Sequence, residues 1–275
     1  SQEDPHTDVV VSDGTEVTVT DDKGIYELKS AKKWGYVFIS VPSGYEVAAE
    51  GVFPQFYQTL KGAADVVEQK DFKLTKVDGQ DRNMLFLLGD MHLANRTNDA
   101  AQFTQFTTDL NAYMAQHSGQ KMYALTLGDM TWDLYWYKNN YALPQYRETI
   151  NRQVKNLQIY HTMGNHDNDF MTTSDYDAAV KYVDCIGPTF YSFNIGQVHY
   201  VVMDNIDCSA YDGTDSRNYV KKLSNEQLKW LAKDLAYVDK STPLIVAMHA
   251  QIYKPTSTGF AFDHDSANTE ALLAA

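Results

Sequence analysis

Four short apolar runs along the chain each stop at a polar residue able to bind a hard metal ion. Met84-Leu-Phe-Leu-Leu-Gly89 gives way to Asp90-Met-His92, and Tyr123-Ala-Leu-Thr-Leu-Gly128 to Asp129. Ile159-Tyr-His-Thr-Met-Gly164 runs into Asn165-His166-Asp167, and Leu244-Ile-Val-Ala-Met248 into His249. Apolar runs without alternation are the mark of strands buried on both faces, and the loops leaving their carboxyl ends are where an open α/β sheet places ligands. The pattern predicts four strands that deliver Asp, His and Asn to one sheet edge.

Between these runs the apolar period changes to three and four. Phe103, Phe106, Leu110, Tyr113 and Met114 predict a helix over residues 101–117, and Tyr146, Ile150, Val154 and Leu157 another over 145–157. Ser224-Asn-Glu-Gln227 is a capping-box pattern ahead of Leu228, Leu231 and Leu235. Residues 266–275 read as the first turns of a further helix with no Gly or Pro stop signal behind them. All are core-facing stripes, and strands alternating with helices predict an α/β fold.

Residues 8–76 follow a different rule. Val9-Val-Val-Ser-Asp-Gly-Thr-Glu-Val-Thr-Val-Thr20 alternates and is β-branched, and Asp21-Asp-Lys-Gly24 is a turn. Ile25-Tyr-Glu-Leu28 and Tyr36-Val-Phe-Ile-Ser-Val41 then read as strands before Pro42-Ser-Gly44. The expected organisation is a small all-β domain over residues 1–78 followed by an α/β domain over 79–275.

Composition narrows the class. A chain of 275 residues with 44% hydrophobic content has enough apolar material for real cores. Its net charge of -13 argues against a nucleic-acid backbone or an anionic membrane surface as main partner, since both demand basic patches. No apolar stretch approaches the roughly 20 residues that span a bilayer. The chain starts Ser1-Gln-Glu-Asp4 without methionine, which leaves room for a removed export signal. Cys185 and Cys208 fit either one disulfide or two thiols; free thiols are the expectation.

The polar residues at the strand ends carry the chemistry. A lone Asp after a strand is usually a turn or a helix cap. Carboxylates and imidazoles recurring at four strand ends, with no thiolate cluster, instead suit a borderline divalent ion such as Zn²⁺, Mn²⁺ or Fe²⁺. A carboxylate such as Asp129 can bridge two ions roughly 3.5–4 Å apart.

Gly89-Asp90-Met91-His92, Gly128-Asp129-Met-Thr-Trp-Asp133, Gly164-Asn165-His166-Asp167 and Met248-His249 resemble, in order, the motif series of the calcineurin-like metallophosphoesterases. The resemblance implies a four-layer sandwich of mixed β-sheets flanked by helices. It implies hydrolysis of phosphomonoesters or phosphodiesters by a hydroxide bridging two divalent ions, with Asp90, His92 and Asp129 on one ion and Asp129, Asn165 and His249 on the other. His166 would protonate the leaving oxygen or stabilise the transition state, and Asp167 would orient its imidazole. Asn165, His166 and Trp132 would meet a phosphorylated small-molecule or other phosphoester substrate.

Other nearby residues are assigned differently. Trp132, Tyr135, Trp136 and Tyr137 form either core packing or a substrate wall, and Asp133 supports its loop. His161 and His199 lie in strand-like runs and read as packed. Asp204-Asn205 also follows an apolar run but is left outside the site. The family's closing Gly-His-x-His loop is absent after His249, and His264 in Phe262-Asp-His-Asp265 is a poor substitute, so the last strands are expected beyond residue 275. The competing reading is a non-catalytic binding or surface protein that keeps the fold with an incomplete site.

The amino-terminal segment resembles the carboxypeptidase-regulatory or transthyretin-like sandwich through Val-Ser-Asp-Gly14, Thr20-Asp-Asp-Lys-Gly24 with Tyr26, and Val-Pro-Ser-Gly-Tyr45. Such modules accompany exported enzymes, which places the expected location in the periplasm or outside the cell. Packing on the catalytic domain is the expected role; exposed Trp34 and Tyr36 would serve carbohydrate binding.

Overall fold

A computed structural model describes residues 6–275; Ser1-Gln-Glu-Asp4, on which the export expectation leans, lies outside them. The fold is mixed α/β, with several sheets and six α-helices among the described residues. Three of the predicted runs become one all-parallel sheet with Lys121–Thr126 between Asn83–Leu88 and Gln158–Tyr160. Ala124 lies level with Phe86 on one side and Ile159 on the other, so the three carboxyl ends finish together. The fourth run, Leu244–Ala247, joins a second sheet in parallel with Val198–Val202, which turns back at Gly196 from Tyr191–Ile195.

The helices are α1 (Asp99–Gln116), α2 (Leu134–Lys138), α3 (Leu143–Gln153), α4 (Asp175–Cys185), α5 (Asn225–Leu235) and α6 (Ser266–Ala274). The predicted stripes bury Phe103 and Leu110 of α1 with Tyr146 and Ile150 of α3 in one cluster around Met163. Phe106 and Tyr113, expected in the core, lie at the surface. The Ser224 side chain caps α5 by accepting from the Gln227 N–H. Helix α4 carries too polar a sequence to be seen by period: only Ala178 and Tyr182 are buried, and Ser174 starts it by accepting from the Asp177 N–H.

At the amino terminus, Val17–Val19, Val10–Ser12, Tyr36–Ile39 and Tyr57–Thr59 form a four-stranded antiparallel sheet in that order. Its inner face shares a core with the rest of the chain. Phe38 meets Trp230 edge-on at 6.0 Å, and the indole N–H of Trp230 donates to Ser12 Oγ at 3.2 Å. Residues 25–28 do not form the expected strand. Asp21 Oδ1 accepts from the Ile25 and Lys23 N–H groups, closing the loop on itself and consuming donors that a ladder needs. Trp34 and Tyr36 are not the exposed pair expected: Tyr36 is 2% exposed, and Trp34 packs edge-on against Phe190. Cys185 and Cys208 are both free thiols. No helix among the described residues is long and apolar enough to cross a membrane.

Candidate metal centre

Parallel strand ends zip the first two loops together. Asp90 N–H donates to Gly128 O at 3.2 Å, His92 N–H to Asp129 O at 2.9 Å and Leu93 N–H to Met130 O at 3.0 Å. Asp90, His92 and Asp129 all adopt left-handed backbone, at φ 51°, 48° and 56°. Such conformations cost about 1–3 kcal/mol each and persist where the surroundings over-determine them, as at ligand-binding turns. Glycines admit the third and fourth loops. A Cβ on Gly128 would lie 2.5 Å from His249 Nδ1, and one on Gly164 would lie 2.2 Å from Asp129 Oδ1 and 2.4 Å from its backbone nitrogen. Gly164→Ala should therefore strip metal from the protein and lower its melting temperature by roughly 5 °C, read by elemental analysis and thermal unfolding.

Asp129 sits at the centre and is 2% exposed. Its Oδ2 lies 2.9 Å from His92 Nε2 and 3.4 Å from His249 Nε2, while Oδ1 accepts the His166 backbone N–H at 2.9 Å. His249 Nδ1 is held by the carbonyl of Leu127 at 2.7 Å, which leaves Nε2 facing Asn165 Oδ1 at 2.9 Å. Asp90 is largely exposed, with its carboxylate 3.9 Å from His92 Nε2. Two groups bring their ligand atoms within 4.8 Å of one another: His92, Asp129 and His166, and Asp90, Asp129 and His249. Of the other four predicted ligands, His92, Asp90 and His249 gather around Asp129 and Asn165 joins through His249, while His166 enters a group it was not expected in; a carboxylate–imidazole donor set of this kind fits a borderline divalent ion.

Electrostatics say the same. Burial alone would raise the Asp129 carboxyl, but the His249 and His92 imidazoles outweigh it and hold it well below the usual range. Burial alone would lower His249, yet its ion pair with Asp129 lifts it to about 9. In the metal-free protein protons occupy positions that suit cations. Only the deprotonated Nε2 can ligate, and the Asp129 bond raises His92 as well, so apparent metal affinity should climb at least tenfold per pH unit below about 9 and flatten above it. Metal titration of the stripped protein between pH 6.5 and 10 checks this.

The His166 imidazole meets an unexpected partner. Its Nδ1 lies 2.8 Å from Oδ1 of Asp133, a fully buried carboxylate that also caps α2 through the Leu134 N–H. Asp167, expected to orient that ring, has no bond to it. Its Oδ2 accepts from the N–H groups of Asp129 at 2.8 Å and Gly164 at 3.0 Å, and its Oδ1 from Thr131 N–H at 3.0 Å. It is therefore a buried clasp between two ligand loops. Burial and the neighbouring Asp129 charge push its carboxyl up to about 7.

The aromatic loop divides. The Trp132 ring lies 5.3 Å from the rings of both His92 and His166, and Arg96 stacks on it at 4.9 Å. Trp136 is buried packing with its indole N–H on Thr131 Oγ1, whereas Tyr137 is half-exposed and bonds Asp169. Asn205 is buried, and its amide both donates to Ala250 O at 2.8 Å and accepts from Ala250 N–H at 3.0 Å, bracing the residue after His249. His264 is buried against Thr269, away from the cluster. His161 stacks on Phe53, and burial pushes it down to about 3. His199 pairs with Asp234 inside the core. Sequence reasoning missed Asp133 as the imidazole's partner, the bracing role of Asn205 and the approach of Arg217, whose Nη1 lies 2.9 Å from Asp133 Oδ1.

Residues 84–274 match the family model described as calcineurin-like phosphoesterase. Residues 1–77 match the one described as the N terminal of calcineurin-like phosphoesterase. No curated protein matches the chain.

Proposed function

The chain belongs to the calcineurin-like phosphoesterases, and on that premise we propose that it hydrolyses phosphomonoesters or phosphodiesters with two divalent ions, Mn²⁺, Fe²⁺ or Zn²⁺, sharing Asp129. Asp90 and His92 complete one ion's set, Asn165 and His249 the other's. The observation that carries this reading is a single buried carboxylate oxygen lying within 3.4 Å of imidazole nitrogens from two different loops. What divalent ions supply when bound is polarisation of phosphoryl oxygens and acidification of a water.

The chain's own residues do the remaining work. His166, with Nδ1 tied to Asp133, presents Nε2 as the group that hands a proton to the departing oxygen. Asp133, fully buried, fixes the ring's orientation through that bond. Asp167 acts one step back, holding the Asp129 and Gly164 backbones in register. Trp132 walls the side between His92 and His166. A periplasmic or extracellular setting is part of the same proposal, resting on the likeness of residues 8–45 to modules of exported enzymes.

The test is metal per chain by elemental analysis, with hydrolysis of p-nitrophenyl phosphate and of its bis-ester before and after EDTA stripping and Mn²⁺ return. Two ions per chain with activity that leaves and returns with them support the reading. Metal binding without turnover of either ester, or no metal at all, sinks it in favour of a binding protein.

A further inference from the structure

Four carboxylates crowd the centre: Asp90, Asp129, Asp133 and Asp167. An anionic substrate approaching them needs positive charge from the protein as well as from the ions. Among the described residues two arginines reach this cluster, and they differ. Arg96 is committed: its Nε bonds both oxygens of Asp99, and Nη2 donates to His92 O at 3.0 Å. Arg217 is underused. It touches Asp133 Oδ1 through Nη1 alone at 2.9 Å, and its Nε reaches Asp215 O at a weak 3.4 Å.

The pairing with Asp133 is not the two-pronged one that an arginine and a carboxylate normally make. Oδ1 of Asp133 takes three donors, from Leu134 N–H, His166 Nδ1 and Arg217 Nη1, while its buried Oδ2 has none. Of five guanidinium N–H groups, most remain for another acceptor. The segment that brings Arg217 in is built to hold it there. Cys208 and Tyr211 are buried anchors against Phe170, and Arg217 itself takes left-handed backbone at φ 46°. A strained non-glycine residue of this kind belongs where position matters more than local stability.

Its place defines what it would read. Nη1 lies 3.5 Å from His166 Nδ1, so the guanidinium flanks the imidazole that serves the departing oxygen rather than the Asp129 centre. We propose that Arg217 recognises a second anionic group on the leaving half of the substrate, making phosphoesters of carboxylate- or phosphate-bearing alcohols the preferred class. The inference deepens the phosphoesterase reading above and rests on it for the leaving-group side.

The matched probes are 3-phosphoglycerate and glycerol 3-phosphate, whose leaving halves differ in a carboxylate against a hydroxymethyl group. The wild-type protein should favour the former by about tenfold in kcat/KM, the scale of one charge-assisted hydrogen bond. Arg217→Gln should erase that preference chiefly through KM, Arg217→Lys should keep part of it, and metal content should stay at the wild-type level in both. Calorimetry with glycerate in the presence of inorganic phosphate supplies a readout free of turnover: binding to wild type, weakened about tenfold in Arg217→Gln. No wild-type preference, or equal losses on both esters, overturns the assignment and makes Arg217 a brace for Asp133. If neither ester is hydrolysed yet glycerate binds through Arg217, the anion site stands, and the phosphoesterase reading is decided separately by the nitrophenyl esters.

Discussion

Replacing His166 with alanine is expected to lower kcat about a thousandfold, the middle of the range for losing one general acid, while the protein keeps its metal. The geometry sets the expectation. His166 contributes its backbone N–H to Asp129 Oδ1, which alanine retains, whereas its ring is tied outward to Asp133. The ring nitrogen also falls within 4.8 Å of His92 and Asp129, so its removal could in principle empty a site, and elemental analysis alongside kinetics separates the two roles. Equal loss of metal and turnover would refute the acid assignment and make His166 a ligand.

The two neighbouring aspartates sharpen this test. Asp133→Asn should follow His166→Ala in kind, cutting kcat with metal content held, because it disturbs the ring's partner, the α2 cap and the Arg217 contact but none of the proposed ligands. Asp167→Asn should behave differently. An amide in place of a carboxylate that accepts four backbone N–H bonds leaves a donor facing donors, at about 1–3 kcal/mol. Both the Asp129 and Gly164 loops then shift, so metal content and thermal stability fall together. A kcat-only defect in Asp167→Asn would restore it as the partner of His166.

This pair also shows where sequence stops being informative. His249 comes from a second sheet rather than from the one sheet edge expected, but the strand ends that carry Asp90, Asp129 and Asn165 were legible, because uninterrupted apolar runs specify parallel strands whose carboxyl ends finish together. Which carboxylate meets which imidazole was not. Asp167 adjoins His166, but successive residues in the turn Asn165–Asp167 point apart, and the ring turns to a carboxylate 33 positions away instead. Arg217 arrives from a loop with no apolar period at all. Asp204-Asn205 has the same run-then-polar pattern as the ligand strands, yet Asn205 is spent on the Ala250 backbone. Tyr36 reads as exposed only if its strand has a solvent face, and all of Tyr36–Ile39 is buried as an interior strand of its sheet.

Asp129→Ala should have the largest effect of any single change, removing metal binding and turnover together. Every proposed ion uses this carboxylate, so no arrangement of Asp90, His92, Asn165 and His249 compensates for it. Fold loss is the competing explanation and can be separated. Deleting the side chain leaves the His166 N–H without its acceptor, at about 1–3 kcal/mol, and breaks the pairing to His92 and His249, but it also relieves Asp167, whose carboxyl is pushed up in part by the Asp129 charge. These contributions oppose, so the metal-free variant should melt within a few degrees of the metal-free wild type. Adding Mn²⁺ at about a hundred times its Kd should stabilise the wild type by about 2.7 kcal/mol per occupied site and the variant not at all. A variant that still gains stability from Mn²⁺ would show that Asp129 is not shared, and would reduce the centre to independent ligands on separate loops. A variant that melts far below the stripped wild type would instead make Asp129 a structural keystone whose loss empties the site indirectly. The shared-carboxylate reading survives only the first pattern: matched metal-free melting, no response to Mn²⁺ and no turnover.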